Sequence, residues 1–368
     1  MSSGSSPGTR ANRGSQGPTT SPTGSPTSSS VVTDPMPIPA HTGNAAPIQP
    51  SGPLALLGEV RTGLLPESAA LNRRSAAELL TLVRGRRVQS RERPVSWAQS
   101  PVTSEGVDCR LATPVRTRVR AVGTVAAHAV VRGGRILQSS ATATVTAGEG
   151  ARRRSWSHYL GRIGIVEIIT RIPPDIGPQL VDGFLGPSDA TTATLDPGGI
   201  AARLHMRVRA DPMLNQKPPI HTSASRLRWA ARVDRGQVPS MSFVLLDDET
   251  RLASVVVGDE AELAGVQSFC EDLAMHDWLL TVLTEIIDEA ESAEFSRSSP
   301  AQILSPLLEH LAHLWMPGAF TPAPLRGLWT GLEADPGFTV QWNSGIGQLR
   351  DRVAVATLDA LTRSHFRG

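Results

Sequence analysis

Hydrophobic and polar positions follow two different periods along this chain. Residues 116–147 and 242–257 each hold two stretches rich in β-branched and small residues around a turn, which predicts two β-hairpins. From residue 259 onward the apolar residues recur at three- and four-residue intervals, as in helices that bury one face. The pattern predicts an α+β fold, in which a β-hairpin-rich mixed N-terminal domain precedes an α-helical C-terminal domain.

The first hairpin has a recognisable turn. Gly133–Gly134 suits a two-residue turn, because such turns need positive φ angles that glycine adopts without strain. Around that turn we expect Val130 to lie opposite Leu137. Further along the same two strands we expect Val122 to lie opposite Val145.

Composition divides the chain into three parts. Residues 1–52 are rich in Ser, Pro, Thr and Gly, so they cannot bury enough surface to offset the entropy of ordering. We expect a disordered tail there, an α+β domain at 53–258 and a helical domain at 259–368. The helices predicted in the last part are 260–290, 300–315, 323–333 and 337–363. Residues 155–172 fit a helix or a strand equally well.

The overall composition argues against several classes of protein. A formal net charge of +2 at pH 7 does not suit a polycation that coats nucleic acid. Cys109 and Cys270 lie far apart without zinc-finger spacing, which argues against a disulfide framework or a structural zinc site. The N-terminal stretch MSSGSSPGTR lacks the apolar core of a secretory signal, and no apolar run approaches the ~20 residues that cross a bilayer. We therefore expect a cytoplasmic protein.

Charge is distributed unevenly within this nearly neutral chain. Residues 110–171 hold eleven arginines against two glutamates, and residues 245–295 hold fourteen acidic residues against one arginine. One interpretation is a nucleic-acid or polyanion surface in the basic region, with aromatic side chains available to stack on bases. Its candidate residues are Arg152, Arg153, Arg154 and Trp156. The alternative is that the two regions complement each other, or a partner, across an interface. We favour the second interpretation, because no nucleic-acid-binding motif accompanies the arginines.

The helix predicted near 271–290 is apolar on two faces and carries a His-Asp pair. His276 falls on a stripe of apolar residues with the spacing of a buried helix face. We expect His276 and Asp277 to have structural or interfacial roles. An acid such as Asp272 or Glu309 would satisfy the imidazole, and Asp277 would face solvent or an arginine.

A metal site is the alternative for this helix. A His-Asp pair of this kind occurs in helical metal-dependent phosphohydrolases, and two further histidines lie three residues apart on a second predicted helix. The four candidate ligands are His276, Asp277, His310 and His313. A catalytic metal needs an open coordination position, which a helix apolar on both sides of the pair does not favour.

Aromatic residues in the helical part indicate core anchors or an interface rather than a cofactor site. The candidate interface comprises His276, Asp277, Trp278, Trp315, Trp329 and Trp342. The chain has no phosphate-binding G-x-x-x-x-G-K-[ST] loop, no G-x-S-x-G nucleophile elbow and no G-x-G-x-x-G dinucleotide motif. We therefore predict no cofactor.

Between residues 56 and 361 the chain resembles a conserved family of streptomycete and other actinobacterial proteins that has no established activity. The segments that carry the resemblance are GEVRTGLLPESAALN, GVDCRLATPVRTRVRAVGTV, WSHYLGR, CEDLAMHDWLLTVL, HLWMPGA and PGFTVQW. Members of this family are encoded beside a variant P-loop protein. The resemblance implies a cytoplasmic protein that works with the products of neighbouring genes, and it implies no catalytic residue.

These observations predict a non-enzymatic interaction or adaptor subunit of a cytoplasmic multi-protein system. Its expected partners are proteins encoded in the same gene cluster, such as the variant P-loop protein. Nucleic-acid or polyanion binding through the basic region and metal-dependent phosphohydrolysis are the two alternatives.

Overall fold

The computed structural model describes residues 52–114, 119–150, 152–173, 175–187, 193–293 and 300–365. The predicted disordered tail, apart from residue 52, lies outside the described residues. The described residues all belong to one compact unit that spans residues 49–368. The boundary predicted between residues 258 and 259 falls inside this unit.

The centre of the fold is one mixed β-sheet, to which ten strands of the described chain contribute. The strands are β1 (Pro53–Leu64), β2 (Gln89–Arg91), β3 (Trp97–Gln99), β4 (Thr103–Leu111), β5 (Val119–Arg132), β6 (Ile136–Ala147), β7 (Ile165–Ile168), β8 (Ser225–Val233), β9 (Ser240–Leu245) and β10 (Thr250–Val257). Their order is β2-β3-β5-β7-β6-β1-β8-β10-β9, with β4 paired to β5 and a direct β5–β6 pairing. The β8–β10 and β6–β7 pairings are parallel.

Helices cover both faces of this sheet. They are α1 (Arg73–Leu79), α2 (Trp156–Leu160), α3 (Ile176–Leu185), α4 (Pro197–Arg209), α5 (Glu260–Leu263), α6 (Val266–Ala293), α7 (Pro300–His310), α8 (Arg326–Ala334) and α9 (Phe338–His365). The α+β class, with strands first and a helical C-terminal part, is thus confirmed. None of the described helices has the length and apolar character needed to cross a membrane.

Strand β1 shows why both faces are covered. Its residues point alternately to opposite faces. Ala55 and Leu57 belong to the core packed by α3 and α4, whereas Leu56 and Val60 belong to the core packed by α6 and α8. Because both sets are apolar, residues 53–57 form a continuous hydrophobic run, which is typical of a strand segment buried on both sides.

The N-terminus of α4 is fixed by a buried carboxylate. Glu59 of β1 lies against it so closely that a Cβ atom at Gly198 would come within 2.6 Å of both carboxylate oxygens. The positive end of a helix dipole stabilises a carboxylate there, and Arg228 Nε lies 3.5 Å from the same group. This contact sets α4 along β1, which determines which residues meet at the other end of the helix.

Both predicted hairpins are present, and the register of the first differs from the prediction. Gly133–Gly134 has positive φ angles of 59° and 64°, but the loop between β5 and β6 contains three residues rather than two. The extra residue shifts the pairing by one, so that Val131 lies opposite Leu137 and Val130 lies opposite Gln138.

The expected pairing of Val122 with Val145 is also wrong. Strand β7 lies between β5 and β6 at this end of the sheet, so Val122 pairs with Glu167. The segment 155–172, which fits either a helix or a strand, contains both α2 and β7. Gly123 makes the close approach of β7 possible, because a Cβ atom there would lie 2.1 Å from the Ile165 carbonyl oxygen.

Gly123→Ala should therefore destabilise the fold by about 1–3 kcal/mol or more, because backbone atoms cannot yield as a flexible side chain would. Gly347→Ala is the matched control: in the described chain nothing lies within 4 Å of its Cβ position on α9. Alanine in a helix should raise stability there by up to about 1 kcal/mol. Urea denaturation measures both changes, and equal stability of Gly123→Ala and wild type would contradict this account of the strand contact.

Candidate functional site

His276, the residue that most suggested chemistry, has both ring nitrogens occupied by backbone groups. Its Nδ1 lies 2.8 Å from the Asp272 carbonyl oxygen and 3.3 Å from Asp272 Oδ1, and the Met316 N–H donates to Nε2 at 3.0 Å. Since Nε2 accepts, the proton resides on Nδ1 and is donated to Asp272. Trp315 and Trp329 contact the ring edge-on, with centroids 5.1 and 5.4 Å away. The imidazole contacts Asp272 as expected, but its hydrogen bond goes to the backbone carbonyl and not to the carboxylate, which is only a 3.3 Å neighbour.

Asp272 is fully buried and fixes the segment that follows α7. Its Oδ2 accepts from the Thr321 hydroxyl at 2.8 Å and from the Phe320 N–H at 3.3 Å. Trp329 Nε1 in turn donates to Thr321 Oγ1 at 2.9 Å. These bonds attach α8 and the segment before it to the middle of α6.

The remaining tryptophans extend this packing inside the protein. Trp315 and Trp342 stack with centroids 4.4 Å apart and an interplanar angle of 3°, and Trp278 Nε1 donates to the Ser223 carbonyl at 2.9 Å. The six predicted interface residues are His276, Asp277, Trp278, Trp315, Trp329 and Trp342. Five of them are buried and Trp315 is half-buried. In this structure they join parts of the chain to each other and do not form an exposed surface for a partner.

Asp277 forms a buried ion pair with Arg251 of β10. Arg251 Nε lies 2.7 Å from Asp277 Oδ2, and both side chains are less than a tenth exposed. The same guanidinium donates to the carbonyls of Asp247 and Asp248 and to the Thr281 hydroxyl. Of the two environments expected for Asp277, the arginine is the one observed. This pair connects α6 to the β9–β10 turn.

Arg251→Met should cost about 3–5 kcal/mol of stability, because it leaves the buried Asp277 carboxylate without its partner. The double variant Arg251→Met/Asp277→Leu should recover most of this loss, since it removes both charges. Arg235→Met, which alters an exposed arginine, is the control and should change stability by less than about 0.5 kcal/mol. A double variant no more stable than Arg251→Met would contradict the assignment.

A second buried polar group lies between α6 and the centre of the sheet. Glu271 Oε1 lies 2.9 Å from His128 Nε2 and accepts from the Ser140 hydroxyl at 2.7 Å, and Arg132 Nη2 lies 3.7 Å from Oε2. Ser140 donates to the carboxylate and not to the imidazole. The arrangement therefore compensates charge and does not resemble a hydroxyl nucleophile activated by histidine.

Gln138 joins this group to the backbone of α6. It accepts from Arg132 Nε at 2.6 Å and donates to the Glu271 carbonyl at 2.7 Å and to Thr62 Oγ1 at 3.2 Å. The guanidinium of Arg132 also lies 3.9 Å from the centre of the Phe320 ring. A buried arginine from the basic region thus meets a buried acid from the acidic region, as the complementary interpretation of the charge pattern expects.

The stability of the protein should depend on Glu271 at low pH. Burial by itself raises the pKa of Glu271. His128, Arg132 and the Ser140 hydroxyl lower it by more than burial raises it, so the pKa is about 2 instead of the unperturbed 4.5. The ionised Glu271 carboxylate therefore contributes roughly 3 kcal/mol to the free energy of unfolding. This contribution is complete above about pH 4.5 and is lost as the pH falls toward 2. Urea denaturation between pH 2.5 and 6 should give a shallower decline for Glu271→Gln than for wild type. The exposed control Glu78→Gln should keep the wild-type slope, and equal slopes for all three proteins would contradict the assignment.

The predicted four-ligand metal alternative is not assembled. Among the described residues, no group of three or more His, Cys, Asp or Glu side chains is placed to hold a metal ion. His276 is held by backbone groups, Asp277 is paired with Arg251, and His310 Nδ1 lies 3.2 Å from Arg135 Nη2. His313 is exposed at the surface. The structural interpretation of the His-Asp pair agrees with these contacts.

The candidate polyanion residues are close together, but much of their charge is already paired. Arg153 Nε lies 3.5 Å from Asp108 Oδ2, and its guanidinium covers the Trp156 ring at 4.7 Å. Arg154 forms an ion pair with Glu149, and the remaining arginine of the three is exposed. An arginine therefore already covers the indole that would stack on a base.

The most unusual surface of the described chain is the open edge of β9. Among the described strands β9 pairs with β10 alone. Met241 and Phe243 anchor it inward, Phe243 meeting Phe338 at a centroid distance of 5.9 Å. Residues 240–246 carry no charge and no proline. Its large apolar side chains that are exposed by more than half are Val244, Leu245 and Leu246. We call residues 240–246 the β9 edge.

An acidic turn borders the β9 edge. Asp247, Asp248 and Glu249 are all exposed. Asp247 Oδ1 accepts from the N–H groups of Glu249 and Thr250 at 2.9 and 2.7 Å, which fixes the turn. A hydrogen bond from the Thr250 side chain lowers the pKa of Asp247, so it is charged at neutral pH. A rigid group of carboxylates therefore lies at the end of an uncharged strand edge.

The β9 edge could be recognised only in part from the sequence. The uncharged run SMSFVLL was visible, and edge strands usually carry a lysine, a proline or a bulge that prevents pairing. The hairpin was predicted, but which of its strands is the outer one depends on the parallel pairing of β10 with β8. That pairing leaves no local pattern in the sequence.

Comparisons with known proteins do not assign the chain to a family. No protein-family model, curated protein or solved structure matches the chain. The resemblance to the actinobacterial family therefore stays a prediction, as do the partners that it implies.

Proposed function

We propose that the protein is a non-enzymatic interaction subunit of a cytoplasmic multi-protein system, and that it binds a partner protein along the β9 edge. The observation that carries this proposal is the combination of an open strand edge, exposed apolar side chains and an adjoining acidic turn. An exposed strand edge with apolar side chains favours association with another chain, because its backbone groups are unpaired and its apolar surface contacts water.

Strand addition is the binding mode that fits this surface. A strand edge presents N–H and C=O groups that an extended segment can pair with, while side chains on alternate positions select the segment. Met241 and Phe243 hold β9 in place from the inner face. A partner would therefore meet a preorganised strand, which lowers the entropic cost of binding.

The occupant that we propose is an extended apolar segment of a partner protein with a basic residue at one end. The apolar part would cover Val244 and Leu246, which are 53% and 63% exposed. The basic residue would lie beside Asp247–Glu249, where opposite charge favours encounter and fixes the register. Products of neighbouring genes are the first partners to test.

The use of the buried ionisable groups supports an interaction role over catalysis. His276 is hydrogen-bonded on both nitrogens, Asp277 is paired with Arg251, and Glu271 is surrounded by donors. Each group holds two parts of the fold together. A catalytic group must also meet substrate, so these residues support a structural assignment.

Replacing Val244 and Leu246 with lysine tests the proposal. The tagged full-length chain is co-expressed with the products of its neighbouring genes, and affinity for any that co-purifies is measured by titration. Val244→Lys/Leu246→Lys should weaken binding at least tenfold, because it places charge on the edge. Its own stability should change little, because both side chains are exposed.

Val340→Lys/Val355→Lys is the matched control, because it makes the same change at exposed apolar positions on α9. It should bind like wild type, and Asp248→Lys/Glu249→Lys should weaken binding of a basic partner segment. A wild-type chain that binds none of these proteins, or binding that survives the edge variant, would contradict the proposal. So would a homodimer that the edge variant dissociates, since the occupant would then be a second copy.

A further inference from the structure

The contact between β1 and the C-terminal end of α4 contains basic groups that lack partners. His205 is 2% exposed, and within the described residues neither of its ring nitrogens has a hydrogen-bond partner. Arg61 Nε is buried and likewise unpartnered. Buried polar atoms are nearly always hydrogen-bonded, and leaving one unbonded is costly. Three residues with such atoms therefore require an explanation, Arg61, Ser139 and His205, and Arg209 lies beside them.

His205 and Arg209 both approach Gly63 of β1. A Cβ atom at Gly63 would lie 3.5 Å from His205 Nε2 and 3.6 Å from Arg209 Nη1, with the Ala224 methyl group 3.2 Å away. Both donors thus border the same point above the strand. Ser139 lies directly opposite Arg61 on β6, so both side chains point to the face that α4 covers. The hydroxyl of Ser139 is buried and has no partner in the described chain.

Positive charge dominates this cluster. In the described residues, no carboxylate forms an ion pair or hydrogen bond with Arg61, His205 or Arg209, and Arg226 lies opposite Arg61 on the other neighbouring strand. Burial lowers the pKa of His205 to about 3, and Arg209 and Arg61 contribute to this shift. The imidazole is therefore neutral and can donate through one nitrogen. Both arginines are half-buried, so each keeps part of its side chain in contact with solvent.

We propose that Arg61, Ser139, His205 and Arg209 form a binding site for a phosphate-type oxyanion, either inorganic phosphate or the phosphoryl group of a small metabolite. Two guanidinium groups match the double charge of a phosphate better than the single charge of a carboxylate. The imidazole and hydroxyl supply further donors, which a tetrahedral anion with several acceptor oxygens can use together. The site lies on the sheet face opposite α6 and is independent of the β9 edge.

Calorimetric titration of the full-length chain with inorganic phosphate at fixed ionic strength tests this site. Wild type should show one saturable site, sulfate should compete for it, and acetate should bind at least tenfold more weakly. Arg61→Gln and Arg209→Gln should each weaken phosphate binding at least tenfold. Arg207→Gln, which removes the same charge from an exposed position on the same helix, should stay within twofold of wild type.

Thermal unfolding separates a binding role from a structural one. Without phosphate, Arg209→Gln should melt at or above the wild-type temperature, because it removes repulsion from an unfilled site. With phosphate, the wild type should gain stability and this variant should not.

Glycerol 1-phosphate that binds as tightly as phosphate would identify a phosphorylated metabolite as the ligand. Binding restricted to the free ions would identify inorganic phosphate as the ligand. Both results support the site. Absence of saturable binding, equal binding of acetate, or wild-type affinity in both arginine variants would overturn it.

Discussion

Helix α6 can pack between the sheet and the other C-terminal helices only because each of its buried charges has a partner. Glu271 meets His128 and Arg132 of the sheet, Asp272 receives hydrogen bonds from the segment before α8, and Asp277 meets Arg251 of β10. These residues lie within two helical turns of one another. A shift of α6 along its axis would leave several buried charges unpaired at once, at a cost of about 3–5 kcal/mol for each broken pair. The ion pairs therefore specify position, while apolar burial supplies most of the stability.

This constraint links the interior to the two proposed surfaces. Arg251 is held by Asp277 and itself binds the carbonyls of the β9–β10 turn, so the acidic turn is rigid because α6 is correctly placed. On the opposite face, the Glu59 contact with α4 determines that His205 and Arg209 lie over Gly63. Buried charge thus positions the proposed partner-binding edge on one side and the proposed anion-binding cluster on the other.

Local patterns in the sequence were enough to predict the hairpins, the helical C-terminal part and Asp272 as one of two candidate neighbours of His276. All of these depend on residues close together in the chain. The partners of Glu271 and Asp277 could not be predicted, because they come from strands whose order depends on pairings such as β8 with β10. The register of the first hairpin was missed because the sequence does not distinguish a two-residue from a three-residue loop at Gly133–Gly134. The convergence of Arg61 and His205 likewise requires knowing that α4 crosses β1.

Amide hydrogen exchange of the chain, alone and bound to a partner, is the most direct test of the account. If an extended segment adds to the sheet, amides within residues 240–245 that point away from β10 should become protected on binding. Amides of the β5–β6 hairpin, which are already paired, should not change. A bound partner that leaves β9 exchange unaltered, and instead protects the region around Trp156, would contradict the assignment of the β9 edge as the binding surface.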